Sequence, residues 1–160
     1  MRDVGVILKA TFDTFLAKLN ADKNFKVPKQ QFIQTGDLAW DCESLSVSTI
    51  GFYQGLPGQQ RPGYQSATGG YAMYAMDVGV SVLRPAPKSA NNGMAPTGQV
   101  LTAASLNATS DAKSLTDAYW ASIEDDSLAS VCDTIYFGGV QWVGPQGGFL
   151  ATSLTFSTQI

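Results

Sequence analysis

Two groups of carboxylates are the residues of this chain with the most obvious chemistry to offer. Glu124-Asp125-Asp126 is the denser, but three consecutive helical residues point in three directions and cannot converge on one metal ion without partners from elsewhere. A solvated acidic turn is expected there. Asp37, Asp41 and Glu43 frame Trp40, as acidic and aromatic residues do around a bound sugar. Glycoside hydrolysis needs two carboxylates at a fixed separation across a cleft, which chain spacing alone does not supply.

The remaining chemistry is thin. The chain has no histidine, so Ser-His-Asp and Cys-His activation of a nucleophile are missing in their usual form, as is the commonest ligand of zinc, copper and non-haem iron. Cys42 and Cys132 stand far apart, which leaves neither a CxxC redox pair nor a thiolate zinc site. One disulfide between them is conceivable, but their semi-apolar surroundings (WDCESL and ASVCDTI) favour buried free thiols. Gly138-Gly139 and Gly147-Gly148 lack the GxGxxG or P-loop context and read as turn glycines. No catalytic, cofactor-binding or metal-binding residue is assigned, and the chain is expected not to be an enzyme.

Composition points the same way. Of 160 residues, 44% are apolar and only 14% charged, against ~25% charged in an average soluble protein. Faces that neutral are expected to meet other subunits. A net charge of −3 argues against a phosphate-binding surface, which needs clustered Lys and Arg. Lys18, Lys23, Lys26 and Lys29 come together only at a helix end and the loop after it, where cations complement the helix dipole. The first apolar run is interrupted by Lys9, Asp13 and Lys18 without a cleavage site. No stretch approaches the ~18 apolar residues of a membrane span. A soluble, cytosolically made protein with no membrane partner is expected.

The elements that would carry these residues can be read in order. Val4, Ile7, Leu8, Phe12, Phe15, Leu16 and Leu19 make one apolar stripe, predicting a helix over 3–20 capped by Asp3. Residues 29–36 read as a short strand. Residues 40–55 alternate Leu45 and Val47 against Ser44, Ser46 and Ser48, then change parity at Ile50-Gly51, the signature of a β-bulge; the serine face should be wet or lie against a neighbour. A long glycine-rich loop (55–70) holds Arg61 and Tyr64 and suits a contact role. In 71–84 the even positions from Ala72 to Val82 are all apolar, a half-buried strand stopped by Pro85 and Pro87. A polar loop (88–99) follows. A second helix is predicted from about Ser110, capped by Thr109, Ser110 or Asp111, running to about 136 or breaking at the acidic turn, and ended by Gly138-Gly139. The last element is a hairpin over 140–158 that turns at 144-GPQGG-148. Trp40, Trp120 and Trp142 read as core or interface anchors. Together these give one α+β domain over 1–160: an antiparallel or mixed β-sheet of about four to five strands with two helices on one face.

The order of short motifs resembles a known family over nearly the whole chain. After the amphipathic helix come Trp40-Asp41-Cys42 with Leu45 and Val47, and then a strand ending in a leucine-arginine turn with prolines (Val80, Val82, Leu83, Arg84, Pro85, Pro87). A Thr116-Asp117-Ala118 helix follows, and the chain closes on GPQGGFLA (Gly144 to Ala151) before a threonine-rich strand. This arrangement resembles the tail terminator (tail-completion) proteins of long-tailed bacteriophages of actinobacteria, distant relatives of the lambda-type terminator. Several of those relatives carry a cysteine where Pro85 stands, so no shared disulfide is implied.

The resemblance implies a structural virion protein of the tail and neck, present in the host cytoplasm during assembly. It would close into a homohexameric ring that ends tail-tube polymerisation. Its partners would be its own copies, the tail tube protein and the head-tail connector or stopper, with DNA passing through the lumen without specific binding. A ring needs two different patches per subunit, each contact burying about 800 Å² per partner. The expected interface residues are Gln54, Arg61, Tyr64, Asn91, Asn92, Trp142 and Gln146, with the sheets lining the ring and 54–69 and 88–99 reaching neighbours. A head-tail stopper or adaptor of the same neck is the alternative reading. From another class, a carbohydrate-binding module would use Trp40, Tyr64 and Trp142 as stacking platforms.

Overall fold

The computed structural model describes residues 1–55, 57, 73–89 and 92–160. The first helix, α1 (Val4–Ala21), starts where Asp3 accepts a hydrogen bond from the Gly5 N–H, satisfying one of the donors that a helix start leaves free. Every residue of its predicted stripe lies in or against the core. Ile7, Leu8, Phe15 and Leu19 are buried, and Val4, Phe12 and Leu16 pack partly covered beside them.

The strands are β1 (Gln30–Thr35), β2 (Ser44–Thr49), β3 (Phe52–Gln54), β4 (Tyr74–Pro85), β5 (Asp133–Gln146) and β6 (Phe149–Gln159). They form one mixed sheet ordered β1-β2-β4-β6-β5, with β3 also paired to β4. Only β1 and β2 run parallel; the other pairs are antiparallel. The expected α+β architecture holds, with six strands rather than four or five because the 40–55 segment is split. The split is the predicted bulge. Ser48 faces Gly79, but Phe52 faces Met76, so one extra residue is inserted at Ile50-Gly51 and the inward parity changes from odd to even.

The even residues Met76, Val78, Val80 and Val82 of β4 are buried and face α1 and the second helix, α2 (Gly98–Glu124), whose Leu115, Ala118 and Tyr119 join the same core cluster. Both helices thus cover one face of the sheet. The other face is a register of small polar side chains: Ser46 lies beside Ser81, which lies beside Ser153, with the Ser81 and Ser153 hydroxyls 2.7 Å apart. Of the two expectations for this face, wet or lying against a neighbour, the first fails at Ser44 and Ser46. Both are buried, and their hydroxyls have no hydrogen-bond partner among the described residues.

The second helix departs most from the sequence reading. It begins at Gly98, with the Thr97 hydroxyl accepting from the Val100 N–H, so Thr109, Ser110 and Asp111 lie inside it. It ends at Glu124, and Ile135 with Gly138-Gly139 belong to β5. The i+4 spacing of Val131 and Ile135 is therefore coincidental, with Val131 in the turn before the strand. Gly138-Gly139 is a bulge site, where the pairing with β6 slips between Phe137 and Gly139. A Cβ at Gly138 would stand 2.8 Å from the Thr155 hydroxyl and 2.9 Å from its carbonyl oxygen. The predicted turn also tightens, because Gly144 to Gln146 stay in β5 and Gly147-Gly148 make the reversal.

Gly138→Ala should therefore destabilise the fold by roughly 1–3 kcal/mol through forced displacement of β6 backbone. Gly98→Ala, at an uncrowded first helical position, should be neutral or stabilising by up to about 1 kcal/mol. Urea unfolding midpoints of the two variants check the contrast.

Candidate assembly surface

Arg84 is the most heavily engaged ionic side chain described. It lies next to last in β4, on the parity that faces the helices. Its Nε and Nη2 donate to Asp111 Oδ2 and Oδ1, both at 3.0 Å, and Nη1 donates to Glu43 Oε1 at 3.1 Å. The guanidinium carbon also sits 5.2 Å from the centre of the Phe25 ring. Burial works against the charge, but the Asp111 bonds, followed by those to Glu43, outweigh it and hold the guanidinium pKa above its ordinary value. Arg84, Asp111 and Glu43 line a cleft of about 530 Å³ with Asn24, Lys26 and Asn107.

This arrangement settles where the candidate chemistry went. Glu43 turns to Arg84 rather than to Trp40. The Trp40 carbonyl lies against the β5–β6 turn, 3.0 Å from where a Cβ at Gly147 would be, and the Asp37 carbonyl accepts from the Gln34 side chain. Glu43 is thus drawn away from the group expected around Trp40 and into the Arg84 ion pair. In the acidic turn, Asp125 pairs with Lys18 at 2.5 Å and accepts from the Ser127 N–H at 3.0 Å. The Lys18 bond, with Ser127 helping, lowers the Asp125 pKa to about 2. The turn is therefore a tie between the two helices rather than only a solvated bend. Among the described residues no three acidic or thiol side chains are grouped to hold a metal ion. Both cysteines are free, with Cys132 buried and Cys42 partly so, and desolvation is the main reason both thiol pKa values are raised. No helix among the described residues is long and apolar enough to cross a membrane.

Of the expected interface residues, Gln54, Asn92, Trp142 and Gln146 are exposed, while Arg61, Tyr64 and Asn91 lie outside the described residues. Gln54 pairs with Tyr74 at one end of the sheet and Gln146 with Phe149 at the other, so those two are not brought together. Trp142 and Gln146 share β5. The Asn92 side-chain Oδ1 caps its own turn, accepting from the Met94 N–H.

What the sequence reading missed is the surface around β5. Trp142 is 56% exposed and Trp120 48%, so neither is a core anchor; Trp40 is half-buried. The Trp142 indole donates to the Ala108 carbonyl at 3.2 Å, pinning the edge strand to the first half of α2. Trp120 and Phe137 meet at a tilt with their ring centres 5.8 Å apart, and both touch Tyr119, Trp120 edge-on. Ahead of Asp111, α2 presents Val100, Leu101 and Leu106 to solvent, the last 63% exposed. The signal available in the sequence was charge: from Thr134 to Gln146 there is none.

The chain matches no protein-family model, and no curated protein is significantly similar to it.

Two outcomes are expected from the ion pairs. Arg84→Met should cost about 3–5 kcal/mol, because Asp111 is left buried and unpaired; adding Asp111→Leu should recover a large part, as a double-mutant unfolding cycle will read. The Asp125 pKa lies below its ordinary 3.8, so its contribution is present above that value and lost as pH falls through about 2. The stability difference between wild type and Asp125→Asn should therefore be full above about pH 4 and vanish near pH 2, measured as urea midpoints against pH.

Proposed function

We propose that this chain is a structural virion protein of the tail terminator type: a ring subunit, six copies to a ring, that ends tail-tube polymerisation and joins the tail to the head connector. What carries the reading is the exposed edge strand β5, uncharged from Thr134 to Gln146 and flanked by the apolar first half of α2. Exposed apolar surface that extensive marks a contact site. The sequence resemblance supplies the kind of assembly, and two of its motifs fall at structurally demanding places. Leu83-Arg84-Pro85 ends β4, with Arg84 paired to the buried Asp111, and the last two glycines of GPQGG make the reversal into β6.

In this role the chain works by position. Neutral faces are covered by sister copies, and the opposite rims of the ring meet the tail tube and the connector. DNA passes through the lumen, where an acidic protein does not retain phosphates.

Light scattering of the purified chain should give a mass of six copies, and electron microscopy of labelled protein should place a six-fold ring at the head-proximal end of tails. A ring found instead on DNA-filled, tail-less heads would make it the stopper. A monomer at high concentration that binds neither tubes nor heads would end the reading.

A further inference from the structure

Among the described residues the sheet has two free edges, β1 and β5, at opposite ends of one strand order. Natural edges are guarded by charge, proline or distortion, because a row of unpaired N–H and C=O groups templates another strand. No charged side chain lies in β1, and β5 has only Asp133 at its start. The bulges of β5 leave one regular stretch, Gly139 to Val143, in unbroken register with β6. That stretch is about the length of the six-residue β1.

Strand direction decides how these edges can meet. β1 runs with β2, and each step β2-β4-β6-β5 reverses direction, so β1 and β5 run in opposite senses. If neighbouring copies are related by a rotation that keeps the sheet facing the same way, β5 of one meets β1 of the next antiparallel, the more favourable pairing. Because both helices cover one face, the same step brings the neighbour's α1 alongside α2, over Trp142 and Trp120. The rings of Trp120, Tyr136, Phe137 and Trp142 are each about half exposed, leaving on the order of 400 Å² at roughly 200 Å² per ring. Leu106 adds to the helix-side part of this surface, while Tyr136 and Val143 lie on the opposite face of the sheet; with the backbones of the paired strands, the edge supplies a large part of the roughly 800 Å² per partner that a stable contact buries.

We infer that the occupant of the β5 edge is a second copy of this chain, whose β1 adds antiparallel to β5 so that one sheet continues from subunit to subunit. The contact is head-to-tail: each copy offers one edge and receives the other, as ring closure requires. The inference deepens the ring reading above and rests on it only for the number of copies.

Charged edges test it. Gln141→Lys/Val143→Lys alters β5, and Ile33→Lys/Thr35→Lys alters β1, all at exposed side chains. Far-UV circular dichroism confirms that each variant is folded. Each variant alone should lose self-association by tenfold or more in light scattering. Mixed, they should form a two-subunit complex that grows no further, since one intact β5 meets one intact β1. If the β1 variant assembles normally and only the β5 variant fails, the contact is a two-fold β5–β5 pairing and the inference is overturned. If both variants still form wild-type rings, the contact lies elsewhere while the ring reading stands. A wild type that never associates removes both.

Discussion

The Arg84 guanidinium ties together four segments that nothing else described joins at one point: the end of β4, the middle of α2 through Asp111, the approach to β2 through Glu43, and the loop after α1 through Phe25. A planar fork meeting a carboxylate with two parallel bonds fixes orientation as well as distance. That decides at which residue the long, partly unburied α2 is pinned against the sheet. Such a pair adds little net stability over well-packed apolar groups, since desolvation takes back much of the attraction. Its effect is on placement. With Asp111 fixed, the turns before it extend past the core and those after it bury Leu115, Ala118 and Tyr119.

The extension of α2 and the exposure of β5 are one fact. A strand at the end of the sheet has α2 on one side and, among the described residues, no further strand beyond it, so its aromatic residues are covered on one flank only. The Trp142 bond to the Ala108 carbonyl holds the two exposed pieces as a unit. A preformed surface of this kind loses little conformational freedom on association, which favours binding. In the ring reading, the same neutrality that makes this edge unattractive to water suits it to meet a sister copy.

Much of the fold was legible in the residues. The three- and four-residue steps of Ile7, Leu8, Phe15 and Leu19 gave α1, the alternation of Val78, Val80 and Val82 gave β4, and the parity change at Ile50-Gly51 gave the bulge. Each pattern records burial on one side of an element within the chain. The start of α2 was not legible, because residues 98–110 bury almost nothing and leave no periodic trace. The start of β5 was misread because Val131 and Ile135 happen to be four apart. The candidate surface was only partly visible: Trp142 and Gln146 were identified by type, but their neighbours on α2 were not.

The sequence by itself determined which stretches must hide an apolar side, how the chain reverses at its glycines, and that the sheet would be nearly free of charge, because these are local properties of spacing and type. Only the tertiary structure decided that Arg84 would take Asp111 and Glu43, 27 and 41 positions away, and that β5 would be left at an edge with Trp142 and Trp120 uncovered. Partnership and exposure depend on which distant segments share space, and that is settled by the packing of the whole chain rather than by any stretch of it.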